Sequence, residues 1–319
     1  MKLGFYPGCS LHGSSREYGE SLRAIAPLLG LELEEVPDWN CCGASAAHSL
    51  NHKLAAALPA RVLALAERAG LAELLVPCSA CYSRLAATRH ELRENEELRK
   101  EISSVIEMEY RGTTKVLSVL EVLGRSASNG LKDKIRTPFK RKVACYYGCY
   151  LTRPAKTAVC QRPEDPQEMD AIMKVLGAEP LDWAFKVECC GAGFSVSRLD
   201  LVAELSGRIV DDAAHRGAEA IIVACPLCQT NLDLRRGVIE KHRQQKYALP
   251  VLYLSQAVGL ALGLEERELG LHRHEVPVRF VEPPGGTAAP GAQAAATAQP
   301  SAVASPKPAV PLSREEKEP

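Results

Sequence analysis

Short apolar runs alternate with longer amphipathic stretches along most of the chain. The short runs end at Pro, Gly or Cys and have the length of buried strands. In the first half they are residues 2–6 (KLGFY), 31–36 (LELEEV) and 73–76 (ELLV). The stretches between them repeat apolar residues every three or four positions, and residues 50–69 place Leu54, Leu58 and Val62 on one predicted helix face. Strands alternating with helices predict an α/β fold.

The same order of runs occurs twice, which indicates an internal repeat. The stretch GLELEEVPDWNCCGA matches GAEPLDWAFKVECCGA, and AELLVPCSAC matches AEAIIVACPLC. The corresponding apolar runs of the second half are residues 142–147, 179–183 and 220–224. We therefore predict two pseudo-symmetric α/β halves, at residues 1–135 and 136–282, each with short strands, helices and a cysteine cluster at its strand ends.

Two segments depart from this plan. Residues 89–111 read as one charged amphipathic helix, with Leu98, Ile102 and Val105 on one face. Residues 283–319 are rich in Pro, Ala and Gly and contain no aromatic side chain, so we expect this tail to be disordered.

Composition and charge narrow the class of protein. The 319 residues are 46% hydrophobic, enough for a full core, and 39 Lys and Arg residues balance 39 Asp and Glu residues. No basic field is available to attract nucleic acid. The chain also starts without a signal-like apolar region, and charges interrupt its longest apolar stretches. The expectation is a cytoplasmic protein with no membrane span and no nucleic-acid partner.

The chain contains twelve cysteines, too many to explain as disulfides in a reducing compartment. Ten of them repeat a C…CC…CxxC pattern. They are Cys9, Cys41, Cys42, Cys78 and Cys81 in the first half and Cys149, Cys189, Cys190, Cys225 and Cys228 in the second. Cys145 and Cys160 have no counterpart and are interpreted as small buried hydrophobic residues. Each cysteine group follows a predicted strand end, where side chains from separate strands converge.

Three kinds of chemistry use such thiols. A CxxC pair is half of a structural zinc site, which takes about four ligands, and CxxC between a strand and a helix is also typical of thioredoxin-like exchange. Neither a zinc site nor a thioredoxin-like motif explains the adjacent cysteines, because the side chains of successive residues diverge. Neighbouring thiolates suit a polynuclear cluster, in which each binds a different iron.

The two cysteine patterns resemble the CCG signature of the heterodisulfide reductase B subunit. The gaps between cysteine groups are 31 and 35 residues in the first copy and 39 and 34 in the second, whose last gap is one residue short. The stretches FYPGCSL, ACYYGCYLTRP, RPEDPQEMD and LYLSQAVGLALGL support the resemblance.

The resemblance implies two noncubane 4Fe–4S clusters that face each other and reduce a disulfide to two thiols. Carried over, the five cysteines of each half hold one cluster, and no further side chain is identified as catalytic. The substrate would be the coenzyme M–coenzyme B heterodisulfide or an analogous disulfide.

The resemblance also implies partners. These are the flavin-containing A subunit and the ferredoxin-like C subunit of an electron-bifurcating complex. Hydrogenase, formate dehydrogenase or another donor would supply electrons to that complex. An iron–sulfur subunit of a lactate- or succinate-oxidising complex, which also carries paired CCG domains, is the second hypothesis. A non-enzymatic zinc scaffold is the third.

Overall fold

The structure, a computed structural model, describes residues 1–44 and 47–278, apart from the side chain of His48. The predicted disordered tail at 283–319 lies outside these residues. The described residues contain two four-stranded parallel sheets, one in each half of the repeat.

The first sheet has the strand order β2-β1-β3-β4. Its strands are β1 (Lys2–Phe5), β2 (Glu32–Glu35), β3 (Glu73–Leu75) and β4 (Lys115–Leu117). Leu3 pairs with Leu33 in β2, and Phe5 pairs with Leu75 in β3. Leu75 in turn pairs with Leu117 in β4. The central strands are buried, as expected when helices cover both faces of a parallel sheet.

The second sheet repeats this topology in the order β6-β5-β7-β8. Its strands are β5 (Lys142–Tyr146), β6 (Glu179–Pro180), β7 (Ala220–Val223) and β8 (Val251–Tyr253). Tyr146 pairs with Val223, and Val223 pairs with Tyr253. Strand β7 is entirely buried and rich in β-branched residues, which favour the extended conformation.

The described residues contain twelve α-helices, most of which lie between the strands in the sequence. In the first half they are α1 (Gly8–His12), α2 (Arg16–Leu28), α3 (Ala47–Leu50), α4 (His52–Arg68), α5 (Ser79–Glu94), α6 (Glu96–Val105) and α7 (Val119–Ser128). In the second half they are α8 (Glu168–Val175), α9 (Leu199–His215), α10 (Pro226–Gln229), α11 (Arg236–Arg243) and α12 (Leu254–Ala261). Among the described residues, no helix combines the length and the apolar character needed to cross a membrane.

The α/β prediction with repeated halves is confirmed, but two predicted helices are wrong in extent. The stretch 50–69 is interrupted at Asn51, whose side chain accepts a hydrogen bond from the Leu54 N–H and starts α4. The stretch 89–111 is interrupted at Asn95, which caps α6 in the same way. Ile102 is buried as predicted, whereas Val105 is exposed.

The two halves meet along a set of buried side chains that we call the seam: Tyr18, Ser21, Ser79, Tyr253 and Ser255. The ring of Tyr18 stacks on Tyr253 with centroids 4.0 Å apart and planes within 4°. The Ser21 and Ser255 hydroxyls are 2.7 Å apart. Residues 1–278 accordingly form one compact unit.

Candidate functional site

In the first half, three chain segments bring cysteines to the carboxyl edge of the sheet. Cys9 lies in α1, directly after β1. Cys41 and Cys42 lie in the loop that follows β2. Cys78 is the residue before α5, and Cys81 lies in the first turn of that helix.

The second half repeats this placement. Cys149 follows β5, and Cys189 and Cys190 follow a short 3-10 helix at 184–187. Cys225 precedes α10, and Cys228 lies within it. The structure thus brings the ten cysteines of the repeated pattern to the same edge of their respective sheets.

The sulfur atoms are close enough to contact one another. Cys42 Sγ lies 3.1 Å from Cys81 Sγ. The equivalent pair in the second half, Cys190 and Cys228, is 3.6 Å apart. All twelve cysteines are free thiols.

The two groups approach each other at the first cysteine of each CxxC motif. Cys78 and Cys225 are both buried and influence each other: the Cys225 thiol raises the pKa of Cys78, and the Cys228 thiol together with Cys78 lowers the pKa of Cys225. The two five-thiol groups thus adjoin at Cys78 and Cys225, and we call the ten thiols together the array.

Hydrogen bonds within the array favour the thiolate form at selected positions. The pKa of Cys42 is lowered because the Cys41 and Cys81 thiols hydrogen-bond to its sulfur. The pKa of Cys189 is lowered by the Cys149 thiol, with help from the backbone N–H groups of Gly191 and Ala192. Thiolates are the form in which cysteine binds metals.

The glycine of each CCG motif is required by its backbone and its neighbours. Gly43 and Gly191 have φ values of +73° and +79°, a region that favours glycine. A Cβ on Gly43 would lie 2.8 Å from Leu58 Cδ1, and one on Gly191 would lie 3.3 Å from Val202 Cα. Each glycine N–H also donates to the sulfur of the first cysteine of its pair.

Two tyrosines hold the paired cysteines against the sheets. The Tyr6 hydroxyl donates to the Asn40 carbonyl at 2.8 Å, and the Tyr146 hydroxyl donates to the Glu188 carbonyl at 2.6 Å. Asn40 and Glu188 are the residues directly before the two cysteine pairs. The sequence alone does not predict this role. The signal for it is a repeated position, because Tyr6 and Tyr146 each lie three residues before the first cysteine of the repeated pattern.

A buried ion pair supports the second group. Lys186 Nζ lies 2.9 Å from Asp170 Oδ1, and both side chains are about 5% exposed or less. The Tyr147 hydroxyl donates to the other oxygen of Asp170 at 2.6 Å. The Lys186 carbonyl accepts hydrogen bonds from the N–H groups of Tyr147 and Gly148, next to Cys149. Asp170 ends the RPEDPQEMD stretch, which thus fixes the loops around Cys149 and Cys189.

The two remaining cysteines lie outside the array. Cys145 is fully buried in β5, and burial raises the pKa of its thiol. Cys160 is 5% exposed, and burial together with the nearby Glu168 raises the pKa of its thiol.

The array offers the donor set of a polynuclear iron–sulfur group. Each half offers five sulfur donors, whereas one zinc ion takes about four ligands. In the part of the chain that the structure describes, no group of three or more His, Cys, Asp or Glu side chains is arranged to hold a metal ion. Gly8 and Gly148 leave space beside the sulfurs: a Cβ there would lie 3.3 Å from Cys81 Sγ and 3.2 Å from Cys228 Sγ.

Comparison with known proteins identifies the repeated unit. The CCG cysteine-rich domain family matches residues 3–86 and 143–233. The chain is 36% identical to the 8-methylmenaquinol:fumarate reductase membrane anchor subunit of Wolinella succinogenes, covering 86% of this chain and 97% of that protein. It is 31% identical to the B subunit of the ferredoxin/F(420)H(2)-dependent CoB-CoM heterodisulfide reductase of Methanosarcina acetivorans, covering 86% and 94%.

A solved structure shares the fold. A hypothetical protein from Helicobacter pylori superimposes with a TM-score of 0.73 over 88% of this chain, at 14% sequence identity. The match covers 53% of that longer chain.

Proposed function

Since the chain belongs to the family of heterodisulfide reductase B subunits, we propose that it is the catalytic subunit of a disulfide-reducing complex. The observation that carries this proposal is the thiol array, in which the two five-thiol groups adjoin at Cys78 and Cys225. Reduction of a disulfide consumes two electrons and two protons and yields two thiols. The substrate in this proposal is the coenzyme M–coenzyme B heterodisulfide or an analogous disulfide.

In this proposal each half holds one noncubane 4Fe–4S cluster. The ligands are Cys9, Cys41, Cys42, Cys78 and Cys81 in the first half and Cys149, Cys189, Cys190, Cys225 and Cys228 in the second. When bound, the clusters would supply electrons one at a time and iron atoms that attract the sulfurs of a disulfide.

Burial of the thiols gives the site an inner and an outer side. Cys78 and Cys225 are buried between the halves, whereas Cys9, Cys41 and Cys189 are exposed. The outer side is thus the route by which a disulfide would approach. The inner side is closed by the seam, where the Tyr18 hydroxyl lies 3.3 Å from the Pro77 carbonyl and 3.4 Å from the Ala224 carbonyl.

Electrons must come from other chains, because this one carries no recognisable flavin-binding motif or ferredoxin cysteine run. We propose the flavin-containing A subunit and the ferredoxin-like C subunit as partners in a cytoplasmic, electron-bifurcating complex. Hydrogenase or formate dehydrogenase would supply electrons to that complex.

Metal analysis tests the cofactor. Anaerobically purified protein should contain about eight irons per chain with matching acid-labile sulfide. Paramagnetic resonance spectra recorded with and without a heterodisulfide should differ. Zinc without sulfide would overturn the enzyme assignment.

Cys42→Ala and Cys160→Ala form a matched pair, because both thiols are at least 95% buried and only Cys42 contacts the array. Cys42→Ala should lose about half of the iron, since one of two sites loses a ligand, and disulfide reduction should fall to background. Cys160→Ala should keep the iron and the activity. Iron content and heterodisulfide-dependent turnover are the measurements, and full activity of the Cys42 variant would refute the assignment.

Similarity to the Wolinella protein favours a second candidate function. As this alternative, we propose that the chain is an iron–sulfur electron-transfer subunit of a succinate- or lactate-oxidising complex. Iron clusters whose spectra do not respond to any disulfide, together with copurification of a succinate- or lactate-oxidising flavoprotein, would select this alternative.

A further inference from the structure

A basic pocket lies beside α5, where the first half meets the segment at 156–158 of the second half. Its volume is about 390 Å³. Five basic side chains line it: Arg89, His90, Arg93, Lys115 and Lys156. We call this site the basic pocket. It lies along α5, so Arg89 is roughly 12 Å from Cys81 along the helix axis, at 1.5 Å per residue.

Charge in the pocket is not balanced by its own carboxylates. Arg89, Arg93, Lys115 and Lys156 carry permanent charges, and two acidic residues, Glu94 and Glu121, share the lining. One of these is already engaged, since the Glu121 carboxylate accepts a hydrogen bond from the Ser118 N–H at 2.8 Å.

None of the five basic side chains forms an ion pair with a carboxylate among residues 1–44 and 47–278. Nearby lysines outside the pocket do form ion pairs: Lys100 pairs with Glu96 at 3.0 Å, and Lys53 pairs with Glu101. Because the whole chain has no net charge, a local excess of positive charge around a concave surface is a specific feature.

Two of the arginine side chains contact neighbouring residues of the first half. Arg89 Nε donates to the Thr114 carbonyl at 2.8 Å, which leaves its terminal N–H groups for another acceptor. The stem of Arg93 packs on Gly112, where a Cβ would lie 3.2 Å from Arg93 Cγ. Residues four apart on a helix share a face, so both groups are presented to the same side of α5.

From this arrangement we propose that the basic pocket binds a small polyanion of the phosphate or pyrophosphate class. Its volume lies in the usual range for small-molecule sites, about 300–1,000 Å³. Arginine forks bind phosphate oxygens with two parallel hydrogen bonds. Lys156 comes from the second half and the other four residues from the first, so a bound anion bridges the halves. The site is independent of the reaction at the cysteines.

Calorimetry with inorganic pyrophosphate, on the full-length holoprotein at low ionic strength, tests the proposal. Wild-type protein should bind one pyrophosphate per chain. Lys156→Gln and Arg93→Gln should each weaken binding by about tenfold, which corresponds to about 1.4 kcal/mol. Arg93→Lys should restore part of the affinity because it keeps the charge and loses the fork.

Lys100→Gln is the matched control, because it removes the same charge from a neighbouring exposed helix position outside the pocket. It should bind pyrophosphate as the wild type does. Absence of saturable binding to wild-type protein would overturn the proposal. So would equal weakening by Lys100→Gln, since that result means a general charge effect. Unchanged iron content and circular dichroism in each variant show that folding and the cysteine site are intact.

Discussion

At the residue scale, two glycines reserve the space beside the sulfur atoms. Gly8 and Gly148 precede the first cysteine of each half and have φ values of +62° and +67°. A side chain at either position would press on the sulfur of the last cysteine of the same half. Glycine is therefore needed at both positions for two reasons: the turn has a positive φ, and the neighbouring sulfur leaves little room for a side chain.

Gly148→Ala should remove iron from the second site, because its methyl group would lie 3.2 Å from Cys228 Sγ. The matched control is Gly217→Ala, at φ +76° with no atom within 4 Å. Both changes carry a similar backbone cost of about 1–2 kcal/mol. Iron per chain should fall by about half only in the Gly148 variant, as one of two sites is affected. Equal iron contents in the two variants would contradict a role for Gly148 in the site.

Single residues also show what the sequence could predict. The ten cysteines and the CCG glycines repeat at similar spacing, so their grouping was predictable. The hydroxyl contacts of Tyr6 and Tyr146 were not, because a tyrosine at a strand end has the same pattern whether it packs in the core or anchors a loop.

At the element scale, α7 depends on a reciprocal cap. The Ser118 hydroxyl accepts from the Glu121 N–H at 3.3 Å, and the Glu121 carboxylate accepts from the Ser118 N–H. Ser118 is buried and directly follows β4. The cap therefore ties the start of the helix to the edge strand of the first sheet.

Ser118→Ala should lower the free energy of unfolding by about 1 kcal/mol, because the Glu121 N–H at the helix start loses the hydroxyl to which it donates. Ser128→Ala, at the other end of α7, removes a hydroxyl that donates only to the Gly124 carbonyl. It should change stability by less than about 0.5 kcal/mol. Denaturant unfolding of both variants measures the difference, and equal losses would show that the cap is not the cause.

The three strands that precede the cysteine groups of each half were predicted, whereas the fourth strands, β4 and β8, were not. Each of these has three residues, too few to show a period, and no cysteine group follows it to mark its end. The breaks at Asn51 and Asn95 carried a usable signal, because asparagine favours the position directly before a helix.

At the scale of the whole molecule, the seam joins the halves through buried contacts. Besides the Tyr18–Tyr253 stack, the Ser79 hydroxyl donates across the halves to the Ala224 carbonyl at 3.0 Å. Separation of the halves would expose the buried rings of Tyr18 and Tyr253 to water and break this hydrogen bond. The halves are thus expected to unfold together.

The two tryptophans allow this to be measured, because Trp39 and Trp183 lie in different halves. In Trp39→Phe the tryptophan fluorescence comes only from the second half, and in Trp183→Phe only from the first. In each variant, the denaturant midpoint from fluorescence should coincide with that from far-ultraviolet circular dichroism. Separate midpoints in either variant would show that the halves unfold independently.

The repeat predicted two similar halves, but the sequence did not indicate how they meet. Repeated residues are recognised because they match, whereas Tyr18 and Ser21 have no matching residues in the second half. Contacts between unlike surfaces leave no periodic trace in one sequence.

The Tyr18–Tyr253 stack also has a historical consequence. Leu75 and Ile222 are equivalent, since each lies three residues before the first cysteine of its CxxC motif. They pair with Leu117 and Leu252, so the residues that follow, Ser118 and Tyr253, are equivalent as well, and each directly precedes a helix. A chain made of two first halves would offer serine where Tyr18 now meets an aromatic ring. Since the duplication, the copies have become complementary parts, and neither can substitute for the other.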